Sequence, residues 1–181
     1  DNRASLELSQ PGRLSSPAIA PGPSPFGRPD GHRVGRRRGD RIILASSLTE
    51  KTVAQAGVAA RSDAPLLLVG PSGSGRRHLA RAIHEWSPRA GRPLISLPVY
   101  DSAESLQARD LFGTSGGSDP LSSGGNVGAL AEADAGSLLI ERIDLLSEPL
   151  RQRLARALRE GSYRREGSTE ALPLRARLIA T

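Results

Sequence analysis

The sequence predicts an α/β domain built on a mainly parallel sheet, and three observations carry that expectation. Four short, largely apolar runs (66–69, 94–97, 138–140 and 176–180) alternate along the chain with segments of helical character. A run that is apolar at every position suits a strand whose two faces are both covered by helices. The first run passes through a glycine-rich turn into a helix, as strands do in α/β units.

Taken in order, 48–60 reads as a helix of good formers that ends near Ser62 and Asp63. Pro65 introduces Leu66, Leu67, Leu68 and Val69, which are expected to form a buried strand. The helix over 76–86 sets Leu79, Ala82, Ile83 and Trp86 on one face. A strand over 94–97 and a helix over 102–111 follow, then a Gly/Ser loop over 113–128 and a third strand over 138–140. The helix over 147–159 turns Leu150, Leu154, Ala157 and Leu158 inward. Its Arg151, Arg153, Arg156 and Arg159 point largely outward. The fourth strand, 176–180, runs to the end of the chain with no closing helix, so the domain is expected to be truncated.

Residues 1–40 have a different texture. They hold six of the 14 Pro and six of the 20 Gly, with no apolar period, and are expected to be a disordered linker. Arg36, Arg37 and Arg38 read as a solvated charge run in that linker rather than a contact to nucleic acid phosphates. The chain therefore divides into a linker over 1–40 and a partial α/β domain over 41–181.

Composition excludes several kinds of chemistry. The 181 residues contain no Cys, so disulfides, thiol nucleophiles and thiolate metal sites are ruled out. With three His, a zinc site built from them is not expected. Without Met, the chain does not begin at its own start codon and is expected to be an excerpt or a processed product. The longest apolar run, 65–69, is too short to cross a bilayer, and no signal-peptide pattern opens the chain, so a cytoplasmic site is expected. Net charge is +6, and Lys51 is the single Lys among 25 basic residues. Such a bias reflects a GC-rich genome, and it gives a motif Lys a route to Arg.

The segment that carries chemistry is Gly70, Pro71, Ser72, Gly73, Ser74, Gly75, Arg76 and Arg77. Its spacing is that of G-x-x-x-x-G-K-[ST], and it lies between a strand and a helix as that motif requires. Glycines let the backbone curl so that N–H groups point at phosphate oxygens, and the helix start adds its positive dipole end. That backbone part is intact. The side-chain part is changed: Arg76 stands where a Lys would reach the β- and γ-phosphates, keeping the charge in a bulkier planar group.

Around this loop the chain resembles the AAA+ central domain of sigma-54-dependent transcription activators. The segment from Gly70 to His84 is similar to the family's GESGTGKE followed by LVARAIH. LQARDLFG, from Leu106, is similar to LLESELFG; GALAEADAGSLLIERI, from Gly128, to GRFELADGGTLFLDEI. Residues 150–181 follow LQAKLLRVLQEGEFERVGG and VRIIAAT. The resemblance covers about 42–181 and implies a P-loop NTPase (AAA+) fold, a parallel sheet flanked by helices, truncated before the helical lid. It implies ATP or ADP as ligand, with adenine near 42–48, and a ring oligomer of the full-length protein.

The departures fall on the chemistry. The family's third strand ends in Asp-Glu, which hold Mg²⁺ and polarise the attacking water. Here those positions are Glu141 and Arg142. Glu141 keeps a carboxylate for a water-bridged Mg²⁺ contact, and Arg142 cannot accept a proton. Asp144 lies two residues further on. Arg77 matters less, because the family often lacks a hydroxyl there. The family's GAFTGA loop, which engages the sigma factor, is matched here by Gly117, Ser118, Asp119, Pro120, Leu121 and Ser122, without the Phe and Thr. The resemblance thus implies a nucleotide-binding regulatory domain of a bacterial transcription regulator with weak or lost hydrolysis. Two alternatives stay open: a competent ATPase that remodels sigma-54 RNA polymerase, and an oligomerisation scaffold without nucleotide. Contact with DNA would come only through segments outside this chain, and contact with a membrane is not expected.

Overall fold

The computed structural model describes residues 46–115 and 125–181. The linker, the arginines at 36–38 and the stretch from Gly117 to Ser122 lie outside the described residues, as do 42–45 of the segment assigned to adenine.

Helix α1 (Ser47–Ala60) starts at Ser46, whose hydroxyl accepts from the Thr49 amide at 3.2 Å. Such a cap satisfies one of the donors that a helix start leaves open. Then come β1 (Leu66–Leu67), α2 (Arg76–Glu85), β2 (Leu94–Pro98), α3 (Glu104–Phe112) and the single turn α4 (Ala129–Glu132). Strand β3 (Ser137–Glu141) leads through a 3₁₀ turn (Ile143–Leu145) into α5 (Glu148–Glu160). A small antiparallel hairpin, β4 (Ser162–Tyr163) and β5 (Leu172–Pro173), precedes β6 (Arg177–Ala180).

Strands β1, β6, β3 and β2 form one sheet in that order, all parallel, as the alternation of elements predicts. The pleat sends alternate side chains to opposite faces. Leu138, Ile140 and Leu178 enter a core shared with α3, α4 and α5 through Leu111, Phe112, Leu130 and Leu154. Leu139 and Ile179 enter a second core with Ala56 and Ala60 of α1 and Ala80 and Ile83 of α2. Helices therefore cover both faces of β3 and β6, which explains why those strands are apolar at nearly every position.

The first strand departs from expectation. Leu66 and Leu67 pair with β6 and the Leu68 amide donates to the Ala180 carbonyl at 2.8 Å, yet among the described residues Leu67 is 58% exposed and Val69 is 85% exposed. Among the described residues this run pairs with β6 alone, which leaves its other side uncovered. Two expectations for α5 also need correction. Leu158 is 36% exposed rather than inward. Arg153, expected to point largely outward, is half-buried: its guanidinium carbon lies 4.0 Å from the centroid of the Phe112 ring, and it pairs with Glu166 and donates to the Arg164 carbonyl. It therefore ties the hairpin to α5.

The expected loop over 113–128 is closed at its base. Gly113 and Gly128 have φ of 81° and 80°, in the left-handed region that favours glycine. A Cβ on Gly128 would overlap the backbone at Phe112 and Gly113, and one on Gly113 would overlap the Asn126 and Val127 carbonyls. The Thr114 amide donates to the Asn126 carbonyl at 2.8 Å, so the two ends of the segment are held together.

Candidate nucleotide site

Three strand ends meet at the carboxyl edge of the sheet: β1 opening into the glycine turn, β3 ending in Glu141, and β6 ending beside Thr181. Ligands of open parallel sheets bind at this edge. The Thr181 amide donates to the Ile140 carbonyl at 2.9 Å and the Val99 amide to the Glu141 carbonyl at 2.9 Å, which fixes the end of β3.

The turn from Gly70 to Gly75 curls as the sequence predicts. The Ser74 amide donates to the Pro71 carbonyl at 3.2 Å, and Gly73 and Gly75 have φ of 78° and 82°. A Cβ on either glycine would meet nothing within 4 Å, so their open side faces free space. The glycines are required by backbone conformation, and the space above them is where an anion fits. Gly75 is the N-cap of α2 and offers no side chain to the open N–H groups of the first turn. That turn carries Arg76, Arg77 and His78 and no acid. Cationic residues at the positive end of a helix dipole are unfavourable by themselves and favour a bound anion. The residues present therefore fit a phosphate group.

Beside the turn, a cavity of about 820 Å³ runs along the exposed side of β1. Its walls include Leu68, Ile140 and Leu178, and its polar lining includes Ser72, Arg76, Arg142 and Asp144. Arg142, just past β3, has φ of 59°. For a bulky residue that is a strained conformation of the kind found at functional sites. Its guanidinium lies 3.9 Å from the Asp144 carboxylate, with both side chains largely exposed.

The alternation along β3 puts Glu141 on the face of Leu139, the face that α2 covers. Ser96 of β2 is the register partner of Leu139 and shares that face. The result is a closed cluster. Arg77 Nε donates to Glu141 Oε2 at 2.7 Å, and its Nη2 donates to the same oxygen. Ser96 Oγ donates to Glu141 Oε1. The sequence pointed to Glu141 as a water-bridged Mg²⁺ ligand, and here both of its oxygens already carry partners. Mg²⁺ needs oxygen ligands in near-octahedral array, supplied by one or two carboxylates, waters and phosphates. A carboxylate facing a guanidinium does not fit that need. Among the described residues, no group of three or more His, Cys, Asp or Glu is placed to hold a metal.

The sequence did not point to Ser96, nor to Arg77 as the partner of Glu141. A signal was present. The residue after Arg76 and the residue that ends β3 are a cation and an anion, Arg77 and Glu141.

A family model described as a sigma-54 interaction domain matches residues 42–181. Similar curated proteins include a Nif-specific regulatory protein of Azorhizobium caulinodans, 34% identical over 138 residues, covering 76% of this chain and 22% of that protein. The transcriptional regulatory protein ZraR of Salmonella typhimurium is 34% identical over 139 residues, covering 77% of this chain and 32% of ZraR. The chain thus spans less than a third of the length of these relatives. Among solved structures, NtrX of Brucella abortus in complex with ADP superposes with a TM-score of 0.68 at 25% identity, covering 77% of this chain and 30% of NtrX. NtrX in complex with ATP superposes with a TM-score of 0.64 at 26% identity, covering 79% of this chain and 32% of NtrX.

Proposed function

We propose that this chain, which belongs to the sigma-54 interaction domain family, is a nucleotide-binding regulatory module that holds ATP or ADP and hydrolyses ATP weakly or not at all. The observation that carries the reading is the uncapped start of α2 behind Gly73 and Gly75, with Arg76 at its first position. The solved NtrX complexes with ADP and ATP, at TM-scores of 0.68 and 0.64, support nucleotide as the ligand.

A bound nucleotide would bring its phosphates to the amides of the turn, and Gly70, Pro71, Ser72, Gly73, Ser74 and Gly75 would wrap them. Arg76 would supply the charge that a Lys supplies in the motif. Arg142 stands where a water-activating carboxylate is expected, and a guanidinium keeps its proton. Loss of a general base typically costs about two to four orders of magnitude in rate. The module would then act through nucleotide occupancy, positioning subunits of a larger assembly. A switch needs contacts that differ between its states. With hydrolysis impaired and the GAFTGA sequence absent, this domain is expected not to open promoters with sigma-54 polymerase. An open-complex assay with the full-length protein checks that point.

Titration with fluorescent ADP or ATP tests the placement. The chain should bind, and Gly75→Val should not, because a β-branched residue resists the φ of 82° and its side chain enters the phosphate space. Equal affinity in the two proteins would put the nucleotide elsewhere.

A further inference from the structure

We propose that the Arg77–Glu141 ion pair takes the place of a divalent cation, so that metal is shut out at Glu141 and nucleotide is held without Mg²⁺. The nucleotide half rests on the function proposed above, while the exclusion of metal stands on the geometry of this chain. In P-loop proteins the cation sits between a hydroxyl at the end of the loop and a carboxylate at the end of a strand. Here those two positions are Arg77, the second residue of α2, and Glu141, the last residue of β3. They are 64 residues apart in the chain and directly joined.

Three features make the pair a substitute for a cation and not an incidental surface contact. The Glu141 side chain is 12% exposed, and it sits where the pleat and the covering helix converge. Its two oxygens accept three hydrogen bonds, two from Arg77 and one from Ser96. A carboxylate has about four acceptor sites, so little capacity remains for a metal, and any metal would stand beside a fixed positive charge. The Arg77 side chain is 60% exposed, so the guanidinium, a group with five donors, is engaged on one side and open on the other. Its free donors lie at the start of α2, where phosphate oxygens would come. A guanidinium held by the chain cannot be removed by a chelator, as Mg²⁺ can.

Two readouts on the 181-residue chain test the proposal. In amide proton–nitrogen spectra, Mn²⁺ alone should leave the Ser96, Leu97 and Glu141 signals sharp in the wild type. Arg77→Lys, which keeps the cation, should behave the same way. Arg77→Ser, which removes the guanidinium and supplies a hydroxyl, should show those signals broadened. The same spectra show that each variant is folded. Broadening in the wild type overturns the proposal, and so does identical behaviour of the wild type and Arg77→Ser. In the second readout, fluorescent ADP is titrated with excess Mg²⁺ or with EDTA. Wild-type affinity should agree within about twofold between the two buffers, whereas Arg77→Ser should lose about tenfold or more in EDTA. A loss of that size in the wild type overturns metal-free binding. Failure of the wild type to bind in either buffer overturns the nucleotide half and the function it rests on, while the Mn²⁺ spectra still decide whether metal is shut out.

Discussion

Replacing Arg177 by Met should loosen the end of α1, the helix that packs against α2. Arg177 is 3% exposed, in the first position of β6. Its Nη2 donates to the Ala59 carbonyl at 2.6 Å, Nη1 to Ala60 at 3.4 Å and Nε to Ala64 at 3.3 Å. Helix α1 has no basic residue in its last turn, so this side chain from a distant strand serves its carbonyl end. Burial lowers the guanidinium pKa from its ordinary value, with the Asp63 carboxylate opposing that effect. The group keeps its charge all the same. One short charge-assisted bond is worth about 1.5–3 kcal/mol, and the favourable dipole contact about 0.3–1 kcal/mol. The two longer contacts add little. Met fills much of the volume and removes the desolvation cost of the cation, so the net loss should be about 2 kcal/mol. For a chain of this size that lowers the melting temperature by roughly 4–8 °C. Urea unfolding followed by circular dichroism measures the loss, and hydrogen exchange should show faster opening of the last turn of α1. A change below about 0.5 kcal/mol would mean that the three carbonyls are satisfied without the guanidinium.

Two further outcomes follow from buried groups. His84 is 4% exposed, with Nδ1 2.9 Å from the Ser137 hydroxyl and Nε2 3.2 Å from the Arg92 carbonyl, and burial holds its pKa below the ordinary 6.5. Its contribution is complete above that pH and declines as pH falls through 6.5 toward the depressed value, because the unfolded chain then binds the extra proton. Urea midpoints measured across this range should fall, and His84→Gln should flatten the trend; an unchanged trend would reassign it. Gly128→Ala should cost about 2–3 kcal/mol, from the left-handed backbone and the overlap with the Phe112 and Gly113 backbone. A melting curve superimposable on the wild type's would show that the neck of the loop yields.

Much of the fold was legible because periodicity and turn chemistry agreed. The starts of α2 and α5 are legible to within a residue, as Gly75 and Ser147 are the caps at which the chain enters each helix. Strand β3 was legible from Leu138, Leu139 and Ile140, which are apolar on both sides. Leu67 and Val69 share that texture but are exposed among the described residues, where β1 has a neighbour on one side only. Helix α4 and the β4–β5 hairpin were not read as elements. Four residues make one helical turn, and strands of two residues show no alternation. The glycine turn was legible because its chemistry is local. The pairing of Arg77 with Glu141 was not, because it depends on register: Leu139 and Ser96 must face α2 before Glu141 can meet the helix start.

Nucleotide that is held on the turn from Gly70 to Arg76 without being turned over should stay with the protein unchanged. The most direct measurement is to incubate the chain in molar excess over radiolabelled ATP, separate the complex by rapid gel filtration, and identify the nucleotide released from it by chromatography. Label should elute with the protein and be recovered as ATP. Recovery as ADP with free phosphate would contradict the loss of hydrolysis, and protein fractions without label would contradict binding itself.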